Sequence, residues 1–113
     1  MAVIRKRRHQ LETEWLRAFA STYLPADGAL IFEPPMLRDA EVSLIDLRHL
    51  FKKGRVVTAD KLDGPGACWS VVGCDCEGNP LEARVDVVSE EITVILRDVR
   101  RPMFEKGSDD DAA

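Results

Sequence analysis

The residues in this chain best equipped for chemistry are cations. His49 and Lys53 fall four apart on the outer face of a predicted helix, Lys52 lies beside them, and Arg55 stands just past the helix end. Arg84 sits on the polar side of one predicted strand and Arg97 on an otherwise apolar last strand, with Arg100 and Arg101 following. Guanidinium and ammonium groups donate to phosphate oxygens, and an imidazole can take up and return a proton near neutral pH, so the set points toward chemistry at a phosphate. Each residue also has a plainer reading. His49 reads more readily as a surface ring between Asp46 and Lys53, and Arg84 as a cross-strand partner of Glu82, Asp86 or the Glu90–Glu91 turn. Arg97, surrounded by apolar neighbours in its strand, is the arginine whose presence most needs a purpose.

Other reactive types have less support. Cys68, Cys74 and Cys76 lack the paired spacing and fourth ligand of a structural zinc site, and His9 and His49 are distant completions. Small buried thiols are expected, with no metal and no cofactor. Neither G-x-x-x-x-G-K-[ST], H-E-x-x-H nor G-x-S-x-G occurs, so nucleotide hydrolysis, zinc proteolysis and serine hydrolase chemistry have no motif. The run Arg5-Lys6-Arg7-Arg8 can grip phosphate or simply be a solvated basic end.

These groups must be positioned by a small scaffold. A chain of 113 residues, 45% apolar and 32% charged, supports one core and disfavours disorder and fibrous classes. No apolar run approaches the roughly 20 residues that cross a bilayer, so no membrane partner is expected. The basic start is followed by Gln10, Glu12 and Glu14 rather than by the apolar stretch of a secretion signal, so a cytoplasmic location and reduced cysteines are expected. Charge is unevenly placed: residues 1–55 hold ten Lys/Arg against seven Asp/Glu, and residues 56–113 hold six against thirteen. General coating of nucleic acid is thereby disfavoured, and any such role must rest on a local patch.

Leu11, Trp15, Phe19 and Tyr23 recur at four-residue steps, predicting a helix over 9–24 whose wet side carries Thr13, Glu14, Arg17 and Ser21. Trp15 and Phe19 are expected in the core rather than as a dock for a partner helix. Pro25-Ala26-Asp27-Gly28 ends that helix, and Pro34-Pro35 predicts a strand-like arm or loop over 29–38. A second helix opens at Ser43, with Asp46 as the acidic half of a capping box, and closes at Gly54 after Lys52 and Lys53. Four strands follow: Arg55–Asp60, Trp69–Cys76, the alternating Leu81–Val88, and the β-branched Ile92–Arg97. Short connections predict an antiparallel meander, giving an α+β domain over 1–104 with two N-terminal helices on a four-stranded antiparallel sheet. Residues 105–113 read as a disordered acidic tail.

Within this pattern, Val42-Ser43, Leu44-Ile45-Asp46-Leu47 and Gly54-Arg55-Val56-Val57 are followed by Trp69-x-Val71-x-Gly73-x-Asp75-x-x-Gly78 and then by the last two strands. The stretch from Val42 to Val99 resembles the RelE/ParE-like toxin superfamily, most closely its small uncharacterised branch near the BrnT-type toxins. That resemblance implies a bacterial or phage toxin of a toxin-antitoxin type, acting on RNA or translation and paired with a cognate antitoxin. It also implies a metal-independent endoribonuclease, with His49, Arg84 and Arg97 as the catalytic set and Lys52, Lys53 and Arg55 holding phosphate. The sequence departs from the branch at Phe32-Glu33-Pro34-Pro35-Met36, where its members usually carry a histidine. The alternative is a non-catalytic inhibitor that binds a host protein, such as a replication or gyrase component.

Overall fold

A computed structural model describes residues 9–24 and 29–102. The run Arg5–Arg8, the turn at 25–28 and the acidic tail expected at 105–113 lie outside the described residues. In chain order the elements are α1 (Gln10–Tyr23), β1 (Leu30–Ile31), α2 (Pro34–Ala40), α3 (Leu44–Lys53), β2 (Arg55–Lys61), β3 (Ala67–Cys74), β4 (Pro80–Val88), a 3-10 turn at Ser89–Glu91, and β5 (Thr93–Arg100). The α+β class holds, with differences in count and pairing. The sheet has five strands in the order β1-β5-β4-β3-β2, and β1 pairs parallel to β5 while the other pairs are antiparallel.

Both differences arise in residues 29–40. Pro34 and Pro35 occupy the first helical positions of α2, where a missing N–H costs nothing because those donors have no intrahelical acceptor anyway. The prolines therefore open a helix instead of forbidding one. Ahead of them, Leu30 and Ile31 pair with Val94 and Ile95, a strand too short to show any period.

α3 forms as its sequence dictates. Ser43 Oγ accepts from Asp46 N at 3.0 Å, and Asp46 Oδ2 accepts from Ser43 N at 3.1 Å, closing the capping box. Burial pushes the Asp46 carboxyl up, but hydrogen bonds from Ser43 and Cys76 outweigh it and hold the group below its ordinary value. Leu47, Leu50 and Phe51 are fully buried, and Leu16, Phe19 and Ala20 of α1 join them over the inner sheet face of Trp69, Val71, Val85, Val87 and Val94. Trp15 packs edge-on against Trp69 with ring centroids 5.7 Å apart and stacks on Phe19, so the aromatic stripe of α1 serves the protein's own interior.

Thr13 corrects one sequence expectation. Instead of facing solvent it is buried, and its Oγ1 accepts the Val56 N–H at 2.9 Å, tying α1 to the start of β2. The opposite face of the sheet carries no helix among the described residues and alternates polar side chains with the buried ones of β4. No helix among the described residues is long and apolar enough to cross a membrane.

Candidate phosphate-binding cleft

The turn from α3 into β2 sets the geometry of the site. Gly54 ends α3, and Gly73 of β3 packs straight against it: a Cβ on Gly73 would stand 2.9 Å from Gly54 Cα and 2.9 Å from Leu50 Cδ1. A Cβ on Gly54 would meet the Val72 carbonyl oxygen at 2.5 Å. Two backbones approach this closely only without side chains between them. Their contact makes the floor of a cleft of about 360 Å³ lined by Arg17, Lys53, Gly54, Arg55, Val72 and Gly73.

Three cations and no carboxylate line this cleft. Arg17 reaches it from α1, its Nη2 donating to the Gly54 carbonyl at 3.5 Å. Lys53 and Arg55 flank the glycine and form no ion pair among the described residues. Part of this charge complements the carbonyl end of α3, whose dipole is equivalent to about half a negative charge, which leaves a clear positive excess. Lys52 belongs to the same last turn and is half-buried. His49, one turn earlier, places Nδ1 3.1 Å from the Cys74 carbonyl oxygen. A carbonyl only accepts, so Nδ1 is the donor in this bond.

The structure thus gathers Lys53 and Arg55 in one cleft, with Lys52 and His49 on the adjoining turn of α3, and adds Arg17. It does not bring Arg84 and Arg97 to them. Arg84 alternates with the buried Ala83 and Val85, so it projects from the outer sheet face, where its Nη2 donates to Cys68 Sγ at 3.8 Å. Arg97 is the extra residue of a bulge: Val85 pairs with Leu96 and Arg84 with Asp98. Its guanidinium is 61% exposed and lies 2.6 Å from Asp86, whose side chain is only 10% exposed. This gives the arginine in the apolar strand its purpose, which is to cover and neutralise a carboxylate buried on the outer face. Arg100 is likewise held by Glu82 at 3.2 Å, and the ion pair with Glu82 raises its pKa. The sheet therefore separates His49 from Arg84 and Arg97.

The residues of the Trp69–Gly78 pattern have structural roles. Asp75 is 2% exposed; its Oδ1 accepts from Glu77 N and Asn79 N at 2.9 Å each, and Oδ2 lies 2.7 Å from Arg101 Nη1. The Arg101 guanidinium holds the Asp75 carboxyl down at about 2, against the opposing effect of burial and with help from the turn amides. Arg101 also donates to the carbonyls of Ala40 and Glu41, so it clamps the end of α2 to the β3–β4 turn. Gly78 completes that turn at φ +87°.

The cysteines are all free. Cys76 donates to the Ile45 carbonyl at 3.7 Å, and burial together with Asp46 raises its thiol pKa, which disfavours the thiolate. Among the described residues, no three of His, Cys, Asp and Glu gather as a metal-holding group.

Arg17 was not among the sequence candidates, because its partner, Gly54, is 37 residues away and nothing local announces the contact. Compared with known protein families, curated proteins and solved structures, the chain matches none.

Proposed function

We propose that the protein is a small effector of the RelE/ParE-like kind that acts on RNA or the translating ribosome, and that the Arg17–Lys53–Arg55 cleft is its phosphate-binding site. The observation that carries this reading is a concave site with three cations and no lining carboxylate in a chain of net charge −4. A local patch of this kind answers the low overall positive charge, since phosphate contacts need only the few groups that touch the backbone. The chain also carries the basic run Arg5-Lys6-Arg7-Arg8 in sequence ahead of α1.

Binding, rather than strand cleavage, is the activity this reading assigns. Cleavage without a metal asks for a proton acceptor, donors on the pentavalent phosphorus and a proton source at the leaving oxygen in one place. The cleft side has His49 and cations, but the other two residues of the proposed catalytic set are held on the far face, Arg97 by a carboxylate. A cognate antitoxin is the partner that goes with such an effector.

A second reading, a non-catalytic inhibitor that binds a host protein, draws support from the outer sheet face. There Arg97–Asp86 and Arg100–Glu82 form a fixed lattice of alternating charge rather than a uniform field.

The test is incubation of the full chain with fluorescent single-stranded RNA and with ribosomes programmed with mRNA. The proposal expects RNA binding at about 50 mM salt that weakens steeply by about 200 mM, co-sedimentation with ribosomes, and intact RNA. No binding at the lower salt, combined with inhibition of purified gyrase, would move the assignment to the second reading.

A further inference from the structure

The cationic cleft has a shape that sorts phosphates. Its floor is closed, since Gly54 is buried and a Cβ on Gly73 would stand 2.9 Å from Gly54 Cα. On the side of α1, the Val56 N–H donates to Thr13 Oγ1 at 2.9 Å and both residues are buried, so the start of β2 lies directly against α1. On the side of α3 the last turn closes on itself, Gly54 N donating to the Leu50 carbonyl at 2.7 Å. Arg17, Lys53 and Arg55, all exposed, stand around the remaining opening. A ligand that enters must leave by the way it came.

A phosphate inside a strand is a diester, and both of its ester substituents would have to pass that single opening, whereas a monoester has only one. A monoester also offers three terminal oxygens and a charge of about −1.5 to −2 at neutral pH, against two oxygens and a single charge on a diester. The three cations, less the roughly half negative charge at the carbonyl end of α3, leave an excess of about two and a half. A near-dianion answers most of that excess, and a monoanion less than half. Each guanidinium can fork onto two oxygens of one phosphate, and the lysine adds a point charge. The surface does not carry cations onward along α1. Glu14, one turn before Arg17 and likewise exposed, accepts from Gln10 Nε2 at 2.9 Å, so a second phosphate running that way meets a carboxylate.

We infer that the cleft takes a phosphate monoester, at the end of an RNA chain or on a free nucleotide, in preference to the diesters within a strand. Arg17 and Arg55 hold its oxygens from two sides, Lys53 adds charge, and the closed floor turns away a phosphate whose chain continues in both directions. This inference rests on the phosphate-binding reading and narrows it to one class of phosphate.

The experiment titrates the full chain, at about 50 mM salt, with one short single-stranded RNA in three forms: 5′-phosphorylated, 3′-phosphorylated, and with hydroxyls at both ends, the fluorophore placed internally. The expected result is at least tenfold tighter binding of a phosphorylated form than of the hydroxyl form. Arg17→Gln should shrink that ratio to threefold or less, and Arg97→Gln should leave it unchanged. Competition with adenosine monophosphate separates the two sources of the monoester: displacement at concentrations similar to those of the phosphorylated RNA assigns the free nucleotide, and displacement only at far higher ones assigns the RNA end. Should Arg17→Gln fail to fold, backbone amide shifts of the wild-type chain on adding adenosine monophosphate are expected at Arg17, Gly54, Arg55 and Gly73, and shifts confined to other residues would overturn the inference. Equal binding of all three RNA forms would overturn it too while leaving the phosphate-binding reading in place, and no binding of any form would overturn both.

Discussion

The end of α3 and the outer face of the sheet both carry several cations, yet the two regions make opposite use of them. On the outer face Arg97 lies on Asp86 and Arg100 on Glu82, both partners supplied by the neighbouring strand, Glu82 directly opposite in register and Asp86 diagonally across the bulge. At the end of α3, Lys53 and Arg55 flank a glycine contact that leaves no room for a side chain of either sign, and Arg17 arrives from another helix. A strand places residues of its neighbours opposite each other every two positions and so invites pairing, whereas a helix terminus turning away into a strand leaves its last charges unopposed. Availability of a cation to a ligand thus depends on the element that carries it as well as on its residue type, and Arg84, opposite Asp98 without an ion pair among the described residues, is the exception on the sheet.

The sharpest way to break the cationic side is to remove its floor. Gly73→Val would drive a side chain into Gly54 and Leu50, and overpacking of this kind costs about 3 kcal/mol. Calorimetry should show a fall in Tm of about 12 °C or more for a domain of this size. The next effect concerns the tie that brings Arg17 to the site. Thr13→Val keeps shape but removes the acceptor for a buried N–H, with an expected loss of about 1–2 kcal/mol in urea unfolding, while Thr13→Ser should retain most of the stability.

The ion pair of Asp75 separates the two regions by pH. Its folded pKa, about 2, lies below the ordinary carboxylate value. Its contribution is therefore fully present above the unfolded pKa near 4 and is lost as pH falls from about 4 to about 2. Asp46, shifted in the same direction, adds to that loss. Urea midpoints measured at neutral pH, pH 4 and pH 2 should fall mainly over the last step, and Arg101→Ala should start lower and fall less. The smallest effect belongs to the outer face. Arg97→Leu removes a largely exposed cation from its pair with Asp86, and a change above about 1 kcal/mol in stability would show that this pair contributes more than exposed pairs usually do.

Much of this was legible in the chain. α3 could be read from its capping box, basic last turn and terminal glycine because those signals are local, and β4 from its strict alternation. The arm at 29–40 could not, since a two-residue strand has no period and a proline pair reads as a breaker unless its place at a helix start is known. Of the site, Lys52, Lys53 and Arg55 were visible as neighbours in sequence. Arg17 was not, because the α1–α3 packing that delivers it is a tertiary event. Arg84 and Arg97 were visible as residues but not as separated from His49: which sheet face a helix covers is not written in a strand's own alternation, and the bulge that turns Arg97 onto Asp86 leaves no local mark.

The central claim is that the cations of the cleft are free to hold phosphate and that Arg97 and Arg100 of the sheet, each held by a carboxylate, are not. It is tested most directly by the salt dependence of binding to a single-stranded RNA for the wild-type chain, for Lys53→Gln/Arg55→Gln and for Arg97→Gln/Arg100→Gln. On this account the cleft variant loses at least tenfold in affinity and its log–log salt slope flattens by about 1.4, close to 0.7 for each cation removed, while the sheet variant stays within twofold of wild type. Equal losses in the two variants, or a loss confined to the sheet variant, would contradict it.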